Sequence, residues 1–291
     1  MTDQNTRHSI LRILGALSLG LASLLPIRPS IVRAQVSAIT EQYLDAAYGV
    51  HVEDNGGTAR LPSKAWTDHE LSLLNDVFEA LPPTVLHKMS RVRILRSASD
   101  LNPQRTPEPS QFGVYLDCDL DYAPDCSGLA SSIYIFDHAH FPFDFPGDAQ
   151  GDLEFKGTVL HELTHALQNF PSETADSAWS GDEGQSYHSE TLLRAWIAAT
   201  RSWTPGDGLP YCADPTGWVQ VGGKWKVEAV PGNEPPTSYA ATEPAEDMAE
   251  SVMLYVYDPQ RLKNSSAERY DFIRDNIFDG REYLAPSSCL P

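Results

Sequence analysis

Apolar residues recur every third or fourth position over several stretches of the chain, a period that predicts amphipathic helices. The clearest stretch covers residues 153–170 and ends before Pro171. Its apolar positions repeat every four residues and predict one buried stripe, formed by Phe155, Val159, Leu163 and Leu167. The same period predicts helices over residues 39–47, 66–81, 187–203, 244–256 and 265–278.

Local signals indicate where these helices begin and end. Thr67 is a candidate N-cap with Glu70 at the capping-box position, and Pro82 and Pro83 end that helix. Ser189 is the candidate N-cap of the helix over 187–203. Pro244 fits the first turn of its helix.

Shorter stretches of alternating or continuous apolar residues predict strands over residues 92–95, 112–116 and 132–136. Residues 219–227 predict a hairpin that turns at Gly222 and Gly223. Helices and strands follow one another without a repeated unit, so we expect an α+β protein.

The N-terminus is typical of an export signal. Positive charge precedes a short apolar run over residues 13–25, and small residues at positions 32 and 34 suit cleavage before Gln35. We therefore expect a signal peptide over residues 1–34, an N-terminal segment over 35–64 and one domain over 65–291. An uncleaved anchor or a frayed helix is the alternative for the first segment, although the run is too short to span a bilayer. The mature protein is expected to be secreted, extracellular or periplasmic, without stable membrane association.

Composition narrows the class of partner. The chain has 291 residues, 41% of them hydrophobic, and a formal net charge of -19. An acidic surface repels phosphate, so we expect no nucleic-acid partner and no docking on anionic lipid.

Four cysteines in an exported chain predict two disulfides. Three connectivities are possible, and we favour Cys118 with Cys126 and Cys212 with Cys289. No C-x-x-C spacing is present, which argues against a structural zinc site. The acidic loop over residues 117–125 resembles the start of a calcium loop, but Tyr122 and Gly128 stand where glycine and glutamate are needed. A disulfide-closed acidic loop is therefore preferred.

The helix over 153–170 carries the motif H-E-x-x-H at His161, Glu162 and His165. The two histidines are four residues apart, so their imidazoles leave one face of the helix and can share a zinc ion. Glu162 can act as a general base on a water molecule at that ion. His138 and His140 are interpreted as loop residues near the site, not as ligands. Two histidines on a core helix beside a solvated glutamate are the plain structural alternative.

A catalytic zinc ion needs a third protein ligand. Glu246 fits best, because Glu243 precedes its helix and Asp247 points about 100° away. Glu250, one turn further, can hydrogen-bond a ligating histidine. Tyr239 lies seven residues before Glu246 and can donate a hydrogen bond to a developing oxyanion. A solvated carboxylate at a helix start is the alternative for Glu246.

Together, His161-Glu162-Leu163-Thr164-His165 and the later run from Tyr239 to Glu246-Asp247-Met248-Ala249-Glu250 resemble the catalytic domain of anthrax-toxin lethal-factor-type zinc metallopeptidases. The Leu-Pro-Pro that ends the helix over 66–81 is a further likeness. The resemblance implies an α+β zincin-like fold with a small mixed sheet. It implies zinc ligation by His161, His165 and Glu246, a general base at Glu162 and transition-state support from Tyr239. The chain departs from the family at Asp247, where an aromatic residue is common.

The expected function is that of a secreted zinc metalloendopeptidase that hydrolyses a peptide or protein substrate. A metzincin is excluded, because Gln168 and Pro171 replace the required glycine and third histidine. The alternatives are a secreted, non-catalytic zinc-containing binding protein on a zincin scaffold and a metal site that serves structure only. The intact Glu162 argues against a retired enzyme.

Overall fold

The structure, a computed structural model, describes residues 38–54, 63–88, 92–98, 112–117, 131–141, 143–168, 192–205, 211–214, 217–220, 225–227 and 230–283. The expected signal peptide, the acidic loop after Asp117 and Cys118, Cys126 and Cys289 lie outside these residues. The side chain of Cys212 does as well, so both disulfides stay predictions.

A small mixed sheet of four strands frames the fold and confirms the α+β prediction. Its strands are β1 (His51–Asp54), β2 (Val92–Arg96), β3 (Gly113–Asp117) and β4 (Ser131–Ile135). They lie in the order β1-β2-β4-β3. The pairs β1–β2 and β2–β4 are parallel, whereas β3 is antiparallel to β4 and forms one edge. The three strands predicted from the sequence are present, and β1 was not predicted.

Helices surround this sheet. They are α1 (Glu41–Tyr48), α2 (Asp68–Ala80), α3 (Pro83–Lys88), α4 (Asp152–Gln168), α5 (Leu192–Thr200), α6 (Pro244–Tyr257), α7 (Pro259–Ser265) and α8 (Ala267–Asn276). The capping box of α2 is formed as predicted, and Pro244 occupies the first turn of α6. Of the residues described, none belongs to a helix with the length and apolar character needed to cross a membrane.

Helix α4 runs through the core and positions the H-E-x-x-H motif. The four residues of its predicted stripe are at most 1% exposed, and each such burial contributes about 1.5–3 kcal/mol. The helix packs against α6, α2 and β3. At Gly157 a Cβ atom would lie 2.9 Å from Sδ of Met253 on α6, so the glycine permits a close approach of the two helices. That approach brings His161 and His165 next to Glu246.

Two buried ion pairs hold the elements around α4. Arg269 of α8 donates two hydrogen bonds to Asp247 of α6 at 2.8 and 2.7 Å, and both side chains are fully buried. Arg96 of β2 donates to Glu70 of α2 at 2.9 Å. Removing one partner of such a pair leaves an uncompensated buried charge, so each pair fixes the placement of its helix.

The helix predicted over 187–203 is shorter than expected at its C-terminal end. Helix α5 ends at Thr200, because Arg201 adopts a left-handed conformation with φ of 55°. The hydroxyl of Ser202 then donates to the carbonyls of Thr200 and Asn233, which ties the chain away from the helix axis. Residues 187–191 lie outside the described part of the chain.

The hairpin predicted over 219–227 is wrong. Strand β7 (Gly217–Gln220) pairs with β6 (Tyr211–Asp214), whereas β8 (Trp225–Val227) pairs with β5 (Trp203–Pro205). In the pair β6–β7, Asp214 lies opposite Gly217, so only two residues connect the strands. This loop is as short as the one expected at Gly222 and Gly223, so its closure costs no more entropy. The last predicted helix is present as α8, which begins after its N-cap Ser266 and ends at Asn276, whereas α7 before it was not predicted.

Candidate metal centre

Three side chains from two helices converge on one point. They are His161 and His165 of α4 and Glu246 of α6, whose ligand atoms all lie within 4.8 Å of one another. Nε2 of His161 is 3.2 Å from Nε2 of His165 and 2.9 Å from Oε2 of Glu246. Nε2 of His165 is 3.5 Å from the same oxygen. This His–His–Glu group could hold a metal ion.

The triangle has about the size that a tetrahedral metal ion requires. In a tetrahedral site with metal–ligand bonds of about 2.0–2.1 Å, neighbouring ligand atoms are about 3.3–3.4 Å apart. Oε2 of Glu246 is buried, and its contacts with the two histidines supply a hydrogen bond only when an imidazole carries a proton on Nε2. A buried carboxylate oxygen without a donor needs a cation, so the three residues fit a metal ion.

Glu250 of α6 orients His161. Nδ1 of His161 lies 2.9 Å from Oε1 of Glu250, and Oε2 of that carboxylate accepts a hydrogen bond from Thr237 at 2.8 Å. Because a carboxylate can only accept, Nδ1 carries the proton and donates. The lone pair of a neutral His161 is therefore on Nε2, which faces the centre.

Gln168 orients His165 in the same way. Its Nε2 donates to the carbonyl of Ala245 at 2.6 Å, which fixes the orientation of the amide. Oε1 of Gln168 then lies 3.1 Å from Nδ1 of His165 and accepts its proton. The Nε2 atoms of both histidines thus present lone pairs to the same point, beside a carboxylate.

The charges of the group favour a cation at the centre. Burial raises the pKa of Glu246, but its contacts with His161 and His165 outweigh burial and hold this pKa far below its usual range. Burial lowers the pKa of His161, yet Glu246 and Glu250 raise it well above the usual value. The pKa of His165 is also raised, against the effect of burial, by Glu246. A proton or a metal ion satisfies the carboxylate here.

Glu162 lies beside the group and is only 7% exposed. Burial raises the pKa of its carboxyl, opposed by the charges of His161 and His165 and by a hydrogen bond from the backbone N–H of Tyr115. Strand β3 approaches the side chain closely at Gly113. A Cβ atom there would lie 2.7 Å from Cγ and 2.8 Å from Oε1 of Glu162. Only glycine leaves the carboxylate where it is.

Tyr239 covers the other side of His161, just before a one-turn 3-10 helix at Ala240–Thr242. The two rings stack with centroids 5.8 Å apart, and 48% of the tyrosine is exposed. Burial of the hydroxyl and the charge of Glu246 raise the pKa of Tyr239 above its usual range. The phenol therefore keeps its proton and can donate a hydrogen bond.

A cavity of about 370 Å³ lies beside the metal centre. His161, Glu162 and Tyr239 line it together with aromatic residues and with Asp144, Glu154 and Glu250. Burial and the charges of Glu250 and Glu154 raise the pKa of Asp144 to about 6.

Other residues considered from the sequence lie apart from the group. His138 and His140 form a 3-10 helix at Asp137–His140, and the ring of His140 stacks on Phe155 at 4.6 Å. Neither belongs to the His–His–Glu group. Asp247 points into the core, where it pairs with Arg269.

Sequence reasoning missed three residues of the site. Gln168 follows His165 by three positions on the same helix, so its spacing could have revealed the contact. A glycine inside a predicted strand is a sign of close approach, which applies to Gly113. Asp144 gives no sequence signal, because its place depends on how the segment before α4 folds.

Comparison with protein-family models, with curated proteins and with solved structures finds no match to this chain.

Proposed function

We propose that this protein is a zinc-dependent metallopeptidase, with zinc held by His161, His165 and Glu246. The observation that carries the proposal is the convergence of two oriented imidazoles and a buried carboxylate, with Glu162 beside them, at the wall of a cavity. Two histidines and one glutamate are the ligand set of several catalytic zinc sites, which keep a position open.

Zinc in such a site supplies Lewis acidity, which polarises a carbonyl group and makes water a better nucleophile at neutral pH. The residues of the chain have separate tasks around it. Glu250 and Gln168 hold the two imidazoles in the tautomer and orientation that ligation needs. Glu162 is not one of the three proposed ligands, so its carboxylate is available to transfer protons.

Glu162 is the proposed general base. Its carboxylate takes a proton from the attacking water and later delivers it to the leaving amine of the peptide. A carboxyl whose pKa is raised toward neutrality does both steps better than one with an ordinary pKa, and burial raises the pKa of Glu162.

Tyr239 is the proposed donor to the scissile carbonyl oxygen as negative charge develops on it. Its ring is fixed against His161, and its hydroxyl keeps its proton over the physiological range. A donor placed in advance needs no rearrangement in the transition state. Secretion by way of a signal peptide over residues 1–34 belongs to the same proposal and follows from the sequence.

The experiment uses casein and a mixed peptide library with the protein purified in zinc-containing buffer, with and without 1,10-phenanthroline. We expect cleavage that the chelator abolishes and that added zinc restores. Glu162→Gln should retain zinc and lose cleavage by about 10²–10⁴-fold. Glu79→Gln, which changes an exposed glutamate of α2, is the matched control. Bound zinc without any cleavage would instead favour a non-catalytic binding protein.

A further inference from the structure

We propose that the cavity beside the metal centre receives a lysine or arginine side chain of the substrate, at the residue adjoining the scissile bond, and that Asp144 recognises its charge. This inference rests on the proposed peptidase function and names the substrate class for that site.

The cavity is continuous with the groups that would carry the chemistry. His161 and Glu162 form part of its wall, so a side chain in the cavity belongs to a residue next to the reacting bond. Much of the remaining wall is apolar and is built by Phe112, Phe143 and Met253. Its volume of about 370 Å³ admits a single long side chain.

Carboxyl groups occupy the polar part of the same wall. Glu250 uses both oxygens, one toward His161 and one toward Thr237. Glu154 uses Oε2 to accept the backbone N–H groups of Phe143, Asp144 and Phe145 at 3.0, 2.9 and 3.3 Å. These contacts engage Glu250 and Glu154 in supporting the site, and Glu162 is assigned to proton transfer. Asp144 remains, and its carboxylate lies 3.7 Å from the guanidinium of Arg261.

The backbone around Asp144 is held firmly. Glu154 of α4 binds the N–H groups on one side, and Arg261 of α7 donates to the carbonyl of Asp144 at 3.2 Å. Two helices thus fix this segment, and the side chain of Asp144, 14% exposed, lines the cavity. Such a supported position is what a recognition group needs.

Among the residues that the structure describes, the carboxylate of Asp144 has no close partner. Its one ion-pair contact among the described residues is with Arg261, at 3.7 Å, and the Arg261 side chain is 36% exposed. Burial and the charges of Glu250 and Glu154, opposed by those of Arg261 and His161, raise the pKa of Asp144 to about 6, so its ionised form is less favoured than that of an ordinary aspartate. A cation entering the cavity would relieve these effects at once.

A long basic side chain matches both parts of the cavity. Its methylene groups suit the aromatic and thioether walls, and its charged end suits Asp144. A neutral aromatic or aliphatic side chain would instead displace water from the carboxylate without replacing it, which is unfavourable. The chemistry therefore favours lysine or arginine over phenylalanine or leucine at this position.

The first test separates recognition from turnover. Binding of n-butylguanidinium and of its neutral isostere n-butylurea to the zinc-loaded protein is measured by saturation-transfer NMR and competition. We expect the guanidinium to bind about tenfold more tightly, and Asp144→Asn to remove the difference. Asp271→Asn, which neutralises an exposed aspartate of α8, should leave it unchanged. Equal binding of the two compounds to the wild-type protein overturns the inference.

The second test reads the cleavage sites in a mixed peptide library by mass spectrometry. We expect lysine and arginine to be enriched at one position adjoining the cut, and kcat/KM for a lysine over a leucine peptide to fall about tenfold in Asp144→Asn. Cleavage next to leucine or phenylalanine overturns the inference and leaves the peptidase intact. If the protein binds the guanidinium compound but cleaves no peptide, the cation preference of the cavity is supported and the proposed peptidase function is contradicted.

Discussion

Gln168 joins the two helices of the metal centre through His165. Its Oε1 accepts the proton on Nδ1 of His165 at 3.1 Å, and its Nε2 donates to the carbonyl of Ala245 at 2.6 Å. Ala245 immediately precedes Glu246. One side chain therefore sets the tautomer of a histidine and the approach of the carboxylate that meets it.

Replacement of Gln168 by leucine should weaken metal binding without removing a ligand. The imidazole of His165 would lose its acceptor, and the Ala245 carbonyl its donor, so zinc affinity should fall about 10–100-fold. Competition with a chromophoric chelator measures the dissociation constant. Gln260→Leu changes an exposed glutamine of α7 and serves as the control. An unchanged affinity in Gln168→Leu would remove this residue from the centre.

A methyl group at position 113 should displace the carboxylate of Glu162 without changing the zinc content. The Cβ atom of Gly113→Ala would lie 2.7 Å from Cγ of Glu162, so the carboxylate must move. Small displacements of a proton-transfer group cost up to about 10²-fold in rate, and we expect a loss of kcat of this order with full zinc content. Gly147→Ala is the control, since nothing lies within 4 Å of the added atom. Wild-type activity in Gly113→Ala would show that Glu162 needs no fixed position.

Tyr239→Phe should lower kcat while KM and zinc content change little. The substitution removes one hydroxyl donor and keeps the ring that stacks on His161. Loss of a single donor to a developing oxyanion costs about 10²–10³-fold in kcat. Tyr43→Phe, at an exposed position of α1, controls for loss of a phenol. A change in KM alone would assign Tyr239 to substrate binding.

Ionisation of Glu70 should make the free energy of unfolding depend on pH in the acid range. Burial raises its pKa, but hydrogen bonds from His140, the Thr67 backbone N–H and Arg96 outweigh burial and lower the pKa from 4.5 to about 2. The folded protein therefore favours the ionised form, which contributes about 3 kcal/mol above pH 4.5 and progressively less as the pH falls toward 2.

Urea unfolding at several pH values checks this contribution. Glu70→Gln should be less stable than the wild type at pH 7, and its free energy of unfolding should depend less on pH between 5 and 2. Glu79→Gln, on the same helix and exposed, should follow the wild-type curve. Parallel curves for wild type and Glu70→Gln would contradict the pKa assigned to Glu70.

The features that the sequence could predict depend on residues that lie close together along the chain. The capping box at Thr67, the proline that opens α6 and the stripe on α4 each depend on residues a few positions apart. The same holds for His161 and His165, whose spacing on one helix places them together. Glu246 could be chosen because it lies inside its predicted helix, whereas Glu243 precedes that helix and Asp247 points about 100° away.

Features that depend on distant partners could not be predicted. Strand β1 is short and partly polar, and it exists because β2 pairs with it in parallel. Strands β7 and β8 take partners from earlier in the chain in place of each other. Asp144 reaches the cavity only because Glu154 and Arg261 hold its segment there.

The most direct test of the central claim is the metal content of protein purified without any chelator, measured by inductively coupled plasma mass spectrometry. We predict about one zinc ion per chain in the wild type. His161→Ala should lose this ion, whereas His87→Ala, at an exposed position of α3, should keep it. Wild-type protein without a transition metal, or His161→Ala with its full complement, would contradict the metal centre.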